Sequence, residues 1–234
     1  MNGRKKGMET FVTKIVSVVL SLKLLKMEPK ERISAKAEEL FLQYGIRSVS
    51  MDDIAHNLGM SKKTLYQYFA EKDELVHAVI DNHITRMQSD CEICRTEASN
   101  AIHEIFITME RILDEFSNLN PMVLYDMEKF HYTAFKRFKE HKDKYLLQIV
   151  RRNIEWGIKE GLYREDVNID VMSKYRMESM MIPFNVNVFP PGKYNLASIS
   201  EMIIQNFTYG LATIKGHKLI QQYNDQRKKQ ISYE

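Results

Sequence analysis

The sequence predicts an all-α protein in which a small N-terminal unit of three short helices is joined by a linker helix to a larger helical body. Three observations carry this reading. Glycine and proline are scarce, at 9 and 5 of 234 residues. Apolar side chains recur every three or four positions over long spans, and alternating Val/Ile/Thr runs are almost missing. The length suffices for one three-helix module and one larger core, with no need of a third unit.

The elements follow in chain order. A first helix is expected from about Pro29 to Tyr44, where Ile33, Ala37, Leu40, Phe41 and Tyr44 form one stripe and Gly45 ends it. Ser50 caps a second helix, with Asp53 at the capping-box position, and that helix runs through Ile54, Ala55 and Leu58 to Gly59. Ser61 caps a third, Lys62 to Phe69. A fourth starts near Lys72-Asp73-Glu74 and reaches the early 90s. Beyond Arg95 the periodicity predicts helices over about 98–117, 121–131, 133–160, 168–184 and 197–222. Asn120-Pro121 supplies a cap and a first-turn proline, and Pro183–Asn195, with Pro190-Pro191-Gly192, reads as a loop. The expected division is 1–27 as an extension, 28–75 and 76–225 as the two domains, and 226–234 as a polar, fraying tail.

Hydrophobic residues at 44% and charged residues at 28% describe an ordinary globular chain. Two cysteines exclude a disulfide scaffold and fit a reducing cytoplasm. The formal charge of +3 misleads, because Arg4, Lys5, Lys6, Lys14, Lys23 and Lys26 face only Glu9 within residues 1–27. That segment carries +5, which leaves −2 for the rest, so any contact with nucleic acid must rest on where charges sit. The apolar run at 10–25 is short for a membrane span and is broken by Lys14 and Lys23. Three readings of residues 1–27 stand: an extension upstream of a start at Met27, a basic amphipathic arm, or a signal or anchor segment.

The segment 33–77 holds two short helices joined by Gly59-Met60-Ser61, with Leu58 before the turn and Leu65 and Phe69 after it. Such a turn sets the second helix steeply against the first, so that one crosses a DNA backbone and the other enters the major groove. Leu65 and Phe69 point inward; at 100° per residue, Lys63 and Gln67 then lie opposite, with Thr64 and Tyr66 on the flanks. Lys62 and Lys63 stand at a helix N-terminus, where the macrodipole disfavours cations by several tenths of a kcal/mol. Free N–H groups there attract phosphate, so the placement points to an anionic partner.

Ala37-Glu38-Glu39-Leu40-Phe41, Tyr44-Gly45, Ser50-Met51-Asp52-Asp53-Ile54-Ala55, Leu58 through Phe69, and Glu71-Lys72-Asp73-Glu74-Leu75 together resemble the DNA-binding domain of the TetR (tetracycline-repressor) family in order and spacing. The resemblance implies that Lys62, Lys63 and Tyr66 approach bases. It implies phosphate contacts for Ser50, Thr64, Tyr68 and Lys72, while Gln67 faces either backbone or base. Asp52 departs from relatives that carry a base-reading cation there; an acid repels phosphate or at best accepts from a cytosine amine. Packing against helices 1 and 4 is the competing role for Tyr66 and Tyr68.

The resemblance also implies a C-terminal domain that dimerises and binds a small molecule. The stripe Ile199, Met202, Ile203, Phe207, Leu211 and Ile214 is broad, and helices about 168–184 and 197–215 are expected to pair with their symmetry mates in a homodimer. Two recognition helices one DNA turn apart would read a near-palindromic, double-stranded operator. Met and aromatic residues crowd the middle of the chain; plain core is the ordinary role for most, and Tyr125, Phe130, Trp156, Tyr175 and Met180 are the expected pocket residues. The effector class is open, with an apolar or aromatic compound favoured by family analogy. The family's commoner behaviour implies a repressor that its ligand releases, with helix 4 as lever, and an activator fits the sequence as well. No cofactor, metal site, catalytic residue or membrane partner is expected: Cys91-Glu92-Ile93-Cys94 lacks a second pair for zinc, His103-Glu104 lacks the second histidine of a zinc-protease motif, and no phosphate loop or nucleophile elbow is visible. The competing class is a helical small-molecule-binding or interaction protein that does not bind specific DNA.

Overall fold

The computed structural model describes residues 28–233, so the readings of 1–27 lie outside the described residues. Helix α1 spans Pro29–Tyr44, α2 Met51–Asn57, α3 Lys62–Tyr68 and α4 Lys72–Glu97. Ile33, Ala37, Leu40 and Phe41 bury one face of α1 against Ile54 and Ala55 of α2, Leu65 of α3 and the start of α4. The 26 residues of α4 reach roughly 39 Å at 1.5 Å per residue, enough to serve both halves of the molecule.

The body contains α5 (Ala101–Phe116), α6 (Met122–Phe130), α7 (Tyr132–His141), a π-helical turn (Lys142–Leu146), α8 (Leu147–Lys159), α9 (Ile169–Ser179), a 3₁₀ turn (Ile182–Phe184), α10 (Leu196–Leu211) and α11 (Ile214–Tyr233). Two apolar cores result. The first joins α1–α3 and the front of α4 to Met127 of α6 and Ala134 of α7. The second is built by Ile102, Phe106 and Met109 of α5, Ile154 of α8, Phe207 and Leu211 of α10, and Ile220 of α11. The first core therefore crosses the expected boundary at residue 75: Val76, Val79, Ile80 and Ile84 belong to it.

Three spans expected as single helices are interrupted, each for a local reason. The 133–160 span contains the π turn, where Lys142 is buried and its Nζ reaches Glu178 at 2.7 Å and Asp143 at 3.0 Å. The 168–184 span stops at Ser179, because Pro183 donates no N–H and its ring would meet the carbonyl four residues back. The 197–222 span breaks at Ala212-Thr213, where residues 161–164 cross it. There Arg164 N–H donates to Leu211 O at 2.9 Å, and Thr213 N–H donates to Leu162 O at 2.9 Å.

Helix α11 continues to Tyr233, into the stretch 226–234 expected as a polar tail, and side chains anchor it as far as Arg227. Asn100 Nδ2 donates to the Tyr223 hydroxyl at 2.9 Å, and the Tyr223 ring stacks on His103 at 5.1 Å. Arg227 donates to Glu201 at 2.7 Å.

Candidate nucleic-acid interface

The turn between α2 and α3 is built by backbone geometry. Gly59 adopts φ +64°, the left-handed region that a side chain disfavours. Its N–H donates to His56 O at 3.0 Å, and Met60 N–H donates to Ala55 O at 3.0 Å. This pairing closes α2 as a Schellman motif. Ser50 accepts from Asp53 N–H at 3.1 Å while the Asp53 carboxylate accepts from Ser50 N–H at 2.8 Å, a reciprocal capping box. Ser50 also donates its hydroxyl to Asp53, and these bonds hold the Asp53 carboxyl below its ordinary range. Ser61 accepts from Thr64 N–H at 3.1 Å and so caps α3.

Leu65 and Phe69 are fully buried, which rotates the opposite face of α3 outward. Lys63, Tyr66 and Gln67 are exposed there, Tyr66 at 47%, and none of the three has a side-chain partner among the described residues. Lys62 is also exposed but forms an ion pair with Asp52, whose bond and charge raise the ammonium above its ordinary range. Thr64 is half-buried and shares a hydrogen bond with Ser61 at 2.8 Å. Tyr68 is half-buried and packs on the first core. Lys72 stands apart: its Nζ donates to Ile46 O at 2.6 Å and lies 5.7 Å from the Phe41 ring centroid, and burial pulls it below the ordinary lysine value. Lys72 thus braces the α1–α2 turn, with only its remaining N–H groups available to a phosphate.

The body grips that same turn. Asp126 of α6 is buried and accepts from Arg47 N–H at 2.9 Å, while Asn120 N–H donates to Leu42 O at 2.7 Å. Gly45, at φ +84°, lies so close that an added Cβ would stand 3.2 Å from Asp126 Oδ2. The Arg47 guanidinium covers the Phe130 ring at 5.1 Å, and His131 pairs with Asp73 at the start of α4. Sequence reasoning missed Asn120 and Asp126 as joint residues, because their partners lie 78 and 79 positions away and nothing local marks them.

The five expected pocket residues are not brought together. Tyr125 and Phe130 are partly exposed on α6, at the seam with the helix-turn-helix. Trp156 lies under Arg95, 4.2 Å from its guanidinium. Tyr175 is 53% exposed on α9. Met180 lines a cavity, of about 30 Å³, between α5, α9 and α10. Of the expected dimer stripe, Ile199, Phe207 and Leu211 are buried within the protomer, whereas Met202 and Ile214 are more than half exposed. Cys91 is pushed up to about 11, chiefly by burial, and Cys94 is buried and also raised, so neither is poised as a thiolate.

The arrangement is a helix-turn-helix that presents Lys63 and Tyr66 outward, on a helical body that clasps its first turn. Residues 33–79 match the family profile of bacterial regulatory proteins, tetR family. That match covers the helix-turn-helix unit alone, 47 of the 234 residues. It is 35% identical over 106 residues to the uncharacterized HTH-type transcriptional regulator YvaF of Bacillus subtilis (strain 168), a match covering 45% of this chain and 55% of that protein. The chain thus spans about half the length of that relative, and 36% of the HTH-type transcriptional activator FasR of Mycolicibacterium smegmatis, to which it is 34% identical over 79 residues. Beyond the first domain the likeness is one of fold. A transcriptional regulator from Cytophaga hutchinsonii superposes with a TM-score of 0.62 at 21% identity, over 78% of this chain and 98% of its own.

Proposed function

We propose that this protein is a homodimeric, DNA-binding transcriptional regulator whose helical body binds a small molecule and thereby changes its affinity for a near-palindromic operator. The carrying observation is that Lys63 and Tyr66 project from the front of α3 with no protein partner among the described residues. Lys62, Lys63 and Tyr66 are assigned to bases, Ser50, Thr64, Tyr68 and Lys72 to phosphates, and Gln67 to either. Residues 28–75 and 76–225 are the proposed functional units, sharing the first core.

The exposed apolar side chains of α9 and α10, Val171, Tyr175 and Met202, support pairing of these helices across a two-fold axis. Ligand between the helices of the body would shift the population toward a spacing of the two α3 helices that no longer fits DNA. A coupling of ~1–3 kcal/mol changes affinity 5–150-fold. The clasp of Asn120 and Asp126 on the α1–α2 turn supports a route by which body motion reaches α3. Relief of repression is the proposed direction.

An electrophoretic shift with DNA from upstream of the gene tests the reading. Binding that weakens steeply with salt supports it. Lack of binding to that DNA, and to any sequence recovered by genomic selection, rejects it in favour of a helical ligand-binding protein.

A further inference from the structure

The cavity between α5, α9 and α10 is walled by Ile112 and Phe116, by Met180 beyond the end of α9, and by Ile203 and Ile204. One cation enters this apolar lining. Arg176 borders the cavity, and among the described residues its guanidinium meets neither a carboxylate nor a hydrogen-bond acceptor. The side chain is half-buried, with the face of Phe207 5.8 Å from its guanidinium and Tyr175 also acting on its charge. The two hydroxyls of the lining are committed elsewhere: Ser179 donates to Arg176 O at 3.0 Å and Ser200 to Leu196 O at 2.8 Å. Three other inward-drawn cations of the body face carboxylates. Lys142 has Glu178, Arg152 has Glu104 and Arg227 has Glu201. Burial pulls Arg176 down to about 10, and Tyr175 opposes this in part.

We infer that this space is the head-group end of a ligand site, and that the ligand is an apolar monocarboxylate held by Arg176. A guanidinium presents a planar fork that matches one carboxylate through two parallel hydrogen bonds. A lone cation in an apolar wall weakens the fold unless an anion joins it. A single unpaired charge fits a single negative charge, and the surrounding surface fits hydrocarbon. At ~10–15 Å³ per water the cavity has room for about two waters, the bulk of a carboxylate group. The chain of the ligand extends by displacing Met180, whose unbranched side chain re-packs readily, and by parting the edge-to-face pair Phe116–Phe184, whose centroids are 5.3 Å apart. The site sits between α9 and α10, the proposed dimer helices; its regulatory meaning therefore rests on the function proposed above, but its chemistry does not.

The test uses the full chain without DNA and compares octanoate and decanoate with octanol and methyl octanoate, by calorimetry and thermal unfolding, in the wild type, Arg176→Met and Arg176→Lys. The wild type should bind the acids at least tenfold more tightly than the neutral analogues. Arg176→Met should bind both alike while unfolding, ligand-free, at the same or a higher temperature. Arg176→Lys should keep part of the preference, since it retains charge without the fork. Equal binding of acid and alcohol by the wild type, binding of neither, or an acid preference that survives in Arg176→Met would each overturn the inference. So would a lower unfolding temperature of ligand-free Arg176→Met, which would assign the guanidinium a carboxylate of a second copy. If the acids bind through Arg176 yet leave operator affinity unchanged, the site stands and the ligand-responsive part of the proposed function falls. Loss of DNA binding alone would leave the calorimetric result intact.

Discussion

The two ends of the molecule handle polar groups in opposite ways. In the helix-turn-helix, Ser50, Asp53 and Ser61 satisfy helix ends within three residues of themselves, and Lys63, Tyr66 and Gln67 point to solvent. In the body the polar groups turn inward and find partners far along the chain. Asn153 Nδ2 donates to Ala101 O at 2.8 Å and to Glu104 at 2.7 Å, and Tyr163 donates to Asn153 Oδ1 at 3.3 Å. Asp126 bridges the two ends. The first arrangement leaves free surface chemistry on a locally braced unit; the second makes helix spacing in the body depend on buried polar contacts, which is what the proposed ligand response requires.

The comparison is broken most forcefully at the head's apolar base. Phe69→Ala should cost ~3–5 kcal/mol in urea unfolding, because Phe69 is fully buried; a loss below ~1 kcal/mol would mean that α3 is not held by this core. Removing Asp126 tests the bridge. Asp126→Ala strands the Arg47 N–H and should lower stability by about 2–3 kcal/mol, and it should also uncouple ligand from DNA affinity. Gly59→Ala forces a side chain into the left-handed region and should cost ~1–2 kcal/mol, read from the thermal midpoint.

Glu38 sharpens the comparison at a third place. Its burial raises its carboxyl, but hydrogen bonds from His83 and Arg86 outweigh that and hold it below 4.5. The stabilisation is therefore complete above the unfolded value and is lost as pH falls through the lower, folded one. Urea midpoints of the wild type and Glu38→Gln should differ by a constant amount near neutrality and converge in acid. The smallest effect is expected at Asp52. Asp52→Ala frees Lys62 and should raise DNA affinity ~2–5-fold with stability within ~0.5 kcal/mol of the wild type, which calorimetry and a shift assay check together.

Legibility in the sequence follows the same division. Caps, the glycine turn and the outward face of α3 are set by neighbours within four residues, so Ser50, Gly59, Lys63 and Tyr66 could be placed from spacing alone. Lys72 is legible only in part, since its ammonium is drawn to Ile46 O, a contact that only the tertiary approach of the α1–α2 turn creates. In the body, periodicity located the helices but not their breaks at Lys142 and Ala212, which arise from contacts with Glu178 and with residues 161–164. The expected pocket residues follow side-chain type and lie at four separate places, whereas Arg176 carries no pattern that sets it apart until its lack of an acid partner is seen in three dimensions.

The account depends on an exposed pair of side chains on α3 meeting a groove. Fluorescence anisotropy of labelled upstream DNA, titrated at several salt concentrations with the wild type and with Lys63→Ala/Tyr66→Ala, tests this most directly. The wild type should bind with a steep inverse dependence on salt, and the double variant, with an unchanged unfolding temperature, should bind at least about tenfold more weakly. Equal affinity of the two proteins for that DNA would contradict the account.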